Sequence, residues 1–372
     1  MISRYPAFAA DVLAVFAERN APTTEVAVLQ PADPFLDMAG EDLRRRIFLT
    51  ESETGETLCL RPEFTIPVCL DHIARRAGTP RRYSYLGEVF RQRREGEAEF
   101  FQAGIEDLGE TDIATADARS VADAHALLTT LLPSTPLVVT LGDQSVFEAV
   151  LFALGLPLGW RKRLSRAFGS SSQLAAALED LANPSRPAQL ADDAARYIAE
   201  GDAGGLARHV ADLMDQAGIS HGAGRTPEEV ARRLIEKAEL RSVRLSREAF
   251  EALKRFIAIR APLAEAPAVL EEFASTANIS LGAALDLFTA RAKAVAGYGL
   301  PQEAVTYDAG FGRPLDYYTG LVFEISGSES RPLVGGGRYD RLLTMLGAAA
   351  PIPGVGFSVW LDRIEALKGG AQ

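Results

Sequence analysis

Residues 82–90 read Arg82-Tyr83-Ser84-Tyr85-Leu86-Gly87-Glu88-Val89-Phe90 and alternate with a period of two. This period predicts a β-strand, because neighbouring side chains of a strand point to opposite faces of a sheet. Shorter apolar and β-branched runs predict further strands at 25–29, 47–49, 57–60 and 137–140. Long loops join these runs, and the regular crossover helices of a parallel sheet are not predicted between them. The pattern therefore favours an antiparallel sheet with helices beside it.

The middle of the chain has a different composition. From about Ser145 to about Gly297, alanine, leucine, arginine and glutamate recur in amphipathic runs, which predicts an all-helical region. Within it, Thr226-Pro227-Glu228-Glu229 is typical of a helix start, since it offers a capping hydroxyl, an early proline and a glutamate for a capping box.

Strand signals return after the helical region, at 305–308 and 321–325. A glycine-rich turn is expected at Gly335-Gly336-Gly337, and a final helix after Phe357. The sequence thus predicts an α+β protein in three stretches. Residues 1–144 form the first part of a sheet-based core, residues 145–300 a mostly helical insertion, and residues 301–372 the remainder of the core.

Net charge and composition narrow the classes of partner. The formal net charge of the 372-residue chain is −11. Because binding to a nucleic-acid backbone usually relies on a surplus of lysine and arginine, this charge disfavours tRNA as a partner. No stretch reaches the roughly 18 uncharged apolar residues of a membrane span, and the first 20 residues lack the apolar core of a signal peptide. We expect a cytoplasmic protein with no membrane partner.

The cysteines and histidines do not form a metal-binding pattern. Cys59 and Cys69 lie in apolar sequence without a CxxC spacing, and the four histidines are scattered singly. We therefore expect two plain buried thiols, no metal and no cofactor.

Four segments, in this order, resemble the catalytic core of histidyl-tRNA synthetase. They read Leu60-Arg61-Pro62-Glu63-Phe64-Thr65; Tyr85-Leu86-Gly87-Glu88-Val89-Phe90-Arg91 with Phe100-Phe101-Gln102-Ala103-Gly104-Ile105-Glu106; Arg313-Pro314-Leu315-Asp316-Tyr317-Tyr318-Thr319-Gly320 with Gly335-Gly336-Gly337-Arg338-Tyr339-Asp340; and Gly354-Val355-Gly356-Phe357 with Leu361-Asp362-Arg363. Each is weak alone, but four in order across residues 60–363 are a specific signal.

The resemblance implies a class II aminoacyl-tRNA synthetase-like core, with a mostly antiparallel sheet flanked by helices, that normally forms a homodimer. It also implies a pocket for free L-histidine lined by Glu63, Thr65, Gln102, Glu106, Arg313, Tyr317 and Tyr318. The residue types suit this ligand. Carboxylates bind ammonium and imidazole N–H groups, an arginine binds a carboxylate, and tyrosines supply flat walls with a polar tip.

The residues that match the synthetase ATP site depart from the family pattern. In the synthetase a glutamate follows Phe-Arg-x, whereas Arg93 follows Phe90-Arg91-Gln92 here, so the charge is inverted. The next loop reads Arg94-Glu95-Gly96-Glu97-Ala98-Glu99 and lacks the synthetase's arginines. Because carboxylates repel a triphosphate, we expect this loop to hold ATP poorly.

Two further departures concern adenine and tRNA. Trp360 occupies a position where the synthetase has a glycine that lets adenine lie against the backbone, and an indole would fill that space. Arg91, Arg313 and Arg363 match synthetase arginines, so the ATP site is degenerate and not erased. The chain also ends at Gln372, nine residues past Arg363, and we expect no anticodon-binding domain.

A kept histidine pocket beside a degenerate ATP site is similar to the synthetase-like regulatory subunits of ATP phosphoribosyltransferase, the first enzyme of histidine biosynthesis. This resemblance implies a non-catalytic chain with no catalytic residues. It implies a hetero-oligomer with the short-form catalytic subunit, which needs this chain for full activity and for feedback response to L-histidine. Two alternatives stay open: a divergent histidyl-tRNA synthetase, and a free-standing histidine sensor.

Overall fold

The computed structural model describes residues 5–38, 41–94, 96–183, 192–218, 226–242, 245–313, 315, 317–327 and 331–369. Glu95, Pro314 and Asp316, which belong to the segments quoted above, lie outside the described residues.

The chain begins with a small sheet and short helices. The elements are α1 (Ala9–Glu18), β1 (Leu29–Pro31), α2 (Asp33–Met38), α3 (Glu41–Arg44), β2 (Leu49–Glu51) and β3 (Thr57–Leu60). The strands pair antiparallel in the order β1-β3-β2. The predicted strand at 57–60 is confirmed, but those predicted at 25–29 and 47–49 begin later. At the first of them, Arg61 donates side-chain and backbone hydrogen bonds to the carbonyls of Val26 and Val28, so this backbone is held by Arg61 and not by a strand.

The first half of the main sheet follows. Its elements are α4 (Thr65–Ala74), β4 (Arg81–Phe90), β5 (Glu99–Leu108), α5 (Ile113–Leu131) and β6 (Val138–Asp143). The strand predicted from the period-two pattern at 82–90 is confirmed, and it pairs with β5 along all ten residues. Asp112 begins α5 by accepting a hydrogen bond from the Thr115 N–H, as a helix N-cap does.

The next stretch is helical except at one strand. It contains α6 (Gln144–Ala153), α7 (Leu158–Ala167), α8 (Ser171–Ala182), α9 (Asp192–Glu200), α10 (Ala203–Gln216), α11 (Pro227–Ser242), α12 (Arg247–Ile257), β7 (Arg260–Pro262), α13 (Ala266–Thr276) and α14 (Gly282–Gly297). The capping box is confirmed, since Thr226 and Glu229 exchange side-chain to backbone hydrogen bonds. The all-helical prediction is wrong at β7, which joins the sheet at its edge, where Pro262 is tolerated.

The last stretch completes the main sheet. Its elements are β8 (Val305–Asp308), β9 (Leu321–Ser326), β10 (Pro332–Arg338), α15 (Leu342–Met345), β11 (Gly354–Trp360) and α16 (Leu361–Gly369), with a 3-10 turn at Gln302–Ala304. The glycine-rich turn expected at Gly335-Gly336-Gly337 is wrong, because these residues lie in β10 between β9 and β11. The physical reason is that neighbouring side chains occupy the space where a Cβ would lie. A Cβ at Gly335 would overlap the Arg313 guanidinium, and one at Gly337 would press on the Tyr318 ring.

The main sheet has the order β4-β5-β11-β10-β9-β6-β8-β7, and β6 and β8 are its parallel pair. This confirms the prediction of a mostly antiparallel sheet flanked by helices. One face of β5 and β11 presents Ala103, Ile105, Phe357 and Val359 to the core that contains α5. On the opposite face Glu106, Gly104 and Gln102 stand opposite Gly356, Ser358 and Trp360. This second face carries the candidate site.

Candidate functional site

A cleft of about 1090 Å³ opens on the second face of the main sheet. Ten of the eleven residues singled out from the sequence line it: Glu63, Thr65, Gln102, Arg313, Tyr317, Tyr318, Arg91, Arg93, Trp360 and Arg363. Its inner end is lined by buried residues such as Glu63 and Tyr317, and its outer end by the exposed Arg45, Arg46, Arg94 and Arg331. The two ends differ in chemistry.

Glu63 and Thr65 are positioned by the start of α4. The two Glu63 carboxylate oxygens accept hydrogen bonds from the N–H groups of Thr65 at 2.7 Å and Ile66 at 2.9 Å. Burial raises the pKa of Glu63, while these N–H groups and the Arg91 cation oppose the rise. The first helical turn therefore stabilises a carboxylate at the inner end of the cleft.

Glu106 lies behind the wall of the cleft and does not line it. Its side chain is buried, and its oxygens accept hydrogen bonds from Thr65 Oγ1 at 2.7 Å, from Tyr85 at 3.3 Å and from the Tyr339 hydroxyl. Gly356 makes room for it, since a Cβ there would overlap the carboxylate. Burial raises the pKa of Glu106 to about 8, so the acid is largely protonated at neutral pH.

Tyr339 lines the cleft and connects Glu106 to it, a role that the sequence did not reveal. The Tyr339 ring lies 6.0 Å from Tyr317, whose ring in turn lies 5.0 Å from Tyr318. These three tyrosines form one aromatic wall. The direct contact with a ligand that we expected of Glu106 is thus available to Tyr339, which follows the predicted motif glycines.

Gln102 is held by two donors of the cleft. With the amide oriented so that its oxygen faces them, it accepts hydrogen bonds from Arg91 Nη2 at 3.3 Å and Trp360 Nε1 at 3.2 Å. Its carbonyl is therefore occupied by two donors that line the cleft. Burial lowers the pKa of Arg91 to about 10, which leaves the guanidinium charged at neutral pH.

Arg313 is already paired within the protein. Its Nη1 donates to Glu324 Oε1 at 2.6 Å, and its guanidinium lies against the backbone of Gly335. Arg313 Nε is buried and has no hydrogen-bond partner among the described residues. Sequence reasoning missed Glu324, which lies in β9 opposite Gly335, the residue that leaves room for the Arg313 guanidinium.

Trp360 packs between cations, with Arg363 4.4 Å and Arg313 5.7 Å from its ring. Arg93 lies 3.5 Å over the Phe100 ring and forms an ion pair with Asp362 at 3.1 Å. Both positions that depart from the synthetase pattern thus face the cleft. The Trp360 ring is thus already in contact with guanidinium groups.

The outer arginine cluster comprises Arg45, Arg46, Arg93, Arg94, Arg331 and Arg363, all of which line the cleft. That the acidic loop holds ATP poorly stays a prediction. Glu97 and Glu99 are exposed and do not line the cleft, and Glu95 lies outside the described residues. With Arg91 and Arg313, eight described arginines line the cleft beside three carboxylates, Glu63, Glu324 and Asp362.

The described ranges bear on both metal binding and membrane insertion. Among these residues, no three histidine, cysteine or acidic side chains are grouped so that they could hold a metal ion. Within the same ranges no helix combines the length and apolar character needed to cross a membrane.

Comparison with known proteins gives one consistent picture. A histidyl-tRNA synthetase family model matches residues 23–236 and 205–364. The ATP phosphoribosyltransferase regulatory subunit of Mesorhizobium japonicum is 70% identical over 370 residues, which cover 99% of each chain. A Bacillus halodurans structure described as an ATP phosphoribosyltransferase regulatory subunit/histidyl-tRNA synthetase shares the fold with a TM-score of 0.64 at 22% identity, over 98% of this chain and 80% of that one. Histidyl-tRNA synthetase from Nostoc sp. PCC 7120 shares it with a TM-score of 0.65 at 17% identity, over 98% and 71%.

Proposed function

Because this chain belongs to the ATP phosphoribosyltransferase regulatory subunit family, we propose that it is the non-catalytic partner of the enzyme's short-form catalytic subunit. The observation that carries the proposal is the full-length similarity to a regulatory subunit at 70% identity. The catalytic chemistry then lies on the partner. The chain forms a homodimer inside a hetero-oligomer in the cytoplasm, and it contributes coupling free energy, typically about 1 to 3 kcal/mol in allosteric systems.

We further propose that the inner end of the cleft binds L-histidine. Glu63 offers a carboxylate for the α-ammonium group, and Arg313 offers a cation for the α-carboxylate beside Glu324. The tyrosine wall of Tyr317, Tyr318 and Tyr339 is flat and polar at its hydroxyls, which suits an imidazole ring. The ordinary size of ligand pockets, about 300–1000 Å³, makes this cleft spacious for one amino acid.

The contacts of Arg93 and Trp360 argue against amino-acid activation. Adenine needs an aromatic face or an open stretch of backbone, but Arg363 covers the Trp360 ring, and Arg93 is held by its contacts with Phe100 and Asp362. We propose that neither ATP-dependent adenylation nor tRNA charging takes place here, and that histidine is a ligand and not a substrate.

Mixing the chain with a short catalytic subunit tests the proposal. We expect a larger particle in size-exclusion chromatography and a phosphoribosyltransferase rate well above that of the catalytic subunit alone. Two separate species with additive rates would support a free-standing histidine sensor. In a parallel assay, histidine-dependent exchange of pyrophosphate into ATP at ordinary enzyme rates would support a divergent histidyl-tRNA synthetase.

A further inference from the structure

The three tyrosines of the cleft wall come from two segments of the chain. Tyr317 and Tyr318 precede β9, and Tyr339 directly follows β10. Ring contacts bring them together, since Tyr317 lies 5.0 Å from Tyr318 and 6.0 Å from Tyr339. The shape of the wall therefore depends on how the two segments are held against each other.

Thr319 joins the two segments through its backbone and its side chain. Its N–H donates to the Arg338 carbonyl at 2.8 Å, and its Oγ1 accepts from the Asp340 N–H at 3.0 Å. The hydroxyl group also donates to the Arg338 carbonyl at 3.4 Å. Because Arg338 and Asp340 are the chain neighbours of Tyr339, Thr319 fixes the backbone beside Tyr318 to the backbone on both sides of Tyr339.

The Tyr339 segment has anchors that do not depend on Thr319. The Tyr339 N–H donates to the Gly354 carbonyl at 2.7 Å, and the Tyr339 hydroxyl donates to Glu106. The Asp340 carboxylate accepts from the Gly354 N–H at 3.2 Å. Since Glu106 lies in β5 and Gly354 begins β11, the main sheet holds this segment in place.

Tyr318 has weaker backbone support of its own. Its N–H donates to the Leu315 carbonyl at 3.4 Å, which is long for such a bond. Its ring lies close to β10, because a Cβ at Gly337 would stand 2.8 Å from a ring carbon. The two shorter hydrogen bonds of Thr319 are therefore the contacts best placed to fix the Tyr318 ring relative to Tyr339.

We propose that Thr319 is a positioning residue for the histidine pocket, and that it holds the Tyr318 ring where the imidazole of the ligand packs. The inference rests on the proposed binding of L-histidine at the inner end of the cleft. Thr319 itself is not among the residues that line the cleft, so it acts through Tyr318 and not by touching the ligand. Residues that line a binding site need such outside support, because small displacements weaken contacts with a ligand.

Calorimetric titration with L-histidine tests this role. Thr319→Val keeps the side-chain shape and the backbone N–H but removes the hydroxyl that accepts from Asp340, whereas Thr319→Ser keeps a hydroxyl. The matched control is Thr289→Val on α14, because the exposed Thr289 hydroxyl donates to Leu285 of the same helix, outside the cleft lining. We expect about ten-fold weaker binding for Thr319→Val, and binding within about three-fold of the wild type for Thr319→Ser and the control.

A double-mutant cycle separates positioning from a general loss of structure. In the Tyr318→Leu background the ring is absent, so Thr319→Val should change the histidine affinity by less than about two-fold. A ten-fold loss in that background would overturn the proposal. So would wild-type affinity in Thr319→Val, an equally weak Thr319→Ser, or failure of Thr319→Val to fold, which would assign Thr319 to stability alone.

The same titrations distinguish this inference from the proposed function. If the wild-type chain binds no histidine, the proposed pocket is wrong and the role of Thr319 fails with it. If the wild type binds histidine and Thr319→Val binds it equally well, only the role of Thr319 fails. The regulatory role is tested separately by mixing with the catalytic subunit, and we expect Thr319→Val to raise the catalytic rate as the wild type does.

Discussion

The outer arginine cluster and a second group of charges, buried beneath the sheet, use the same residue types in opposite ways. The buried network consists of Asp117, Asp143, Arg291 and Arg338, whose side chains are at most 3% exposed. Arg291 donates to Asp117 at 2.5 Å and to Asp143 at 2.7 Å, and Arg338 donates to Asp117 at 2.6 Å. In this network two arginines face two aspartates, whereas among the described residues that line the cleft eight arginines accompany three carboxylates.

This difference distinguishes charges that stabilise the fold from charges that a ligand can reach. The network joins α5, β6, α14 and β10, which lie far apart in sequence. It also lies close to the segment that carries the site tyrosines, because a Cβ at Gly320 would crowd Arg291 Nη2. Charges that are buried and paired join distant elements, whereas the outer arginine cluster lies at an open cleft.

Breaking the buried network gives the largest expected effect on stability. Asp117→Asn removes the charge that faces both arginines, and loss of one partner in a buried ion pair typically costs about 3–5 kcal/mol. The matched control is Asp362→Asn at the cleft, whose pair with Arg93 is partly exposed and is worth less than about 1 kcal/mol. Urea denaturation of both variants measures the free energy of unfolding. Equal losses would contradict the distinction between the two groups.

Glu106 differs from both groups of charges. It is a buried acid whose hydrogen bonds come from hydroxyl groups and not from a cation. Its pKa of about 8 in the folded chain lies above the ordinary 4.5, so between these values the folded state keeps a proton that the unfolded state loses. Stability therefore falls as pH rises through this window, by at most about 1.4 kcal/mol per pH unit.

Glu106→Gln should flatten this decline, since the amide does not titrate. Unfolding free energies measured at several values between about pH 5 and 8 test it. Glu365→Gln, at an exposed position of α16, serves as the control and should keep the wild-type slope. The same decline in the Glu106 variant as in the wild type would show that this carboxyl is ionised throughout.

Local patterns in the sequence foretold much of the fold. The strands at 82–90, 57–60 and 305–308 and the capping box at Thr226 followed from periodicity and helix-start chemistry, which depend on neighbouring residues. The error at Gly335-Gly336-Gly337 has a different origin. Those glycines leave room for side chains from elsewhere in the chain, such as Arg313 and Tyr318. The local sequence pattern does not reveal these long-range contacts.

The sequence predicted which residues form the candidate site better than it predicted how they are arranged. The family motifs identified ten residues that line one cleft, but not that Glu106 lies behind the wall or that Glu324 pairs with Arg313. Arg45, Arg46 and Arg331 were also missed as cleft residues. Each comes from a segment outside the motifs, and only the folded chain brings them together.

Feedback by histidine in the assembled enzyme tests the central claim most directly. The phosphoribosyltransferase rate of the short catalytic subunit is measured with and without this chain, over a range of L-histidine concentrations, for the wild type and for Tyr318→Leu. We predict that both chains raise the rate and that histidine inhibits the variant mixture about ten-fold less effectively, since one wall of the cleft is changed. A rate no higher than that of the catalytic subunit alone, or identical inhibition in the two mixtures, would contradict the account.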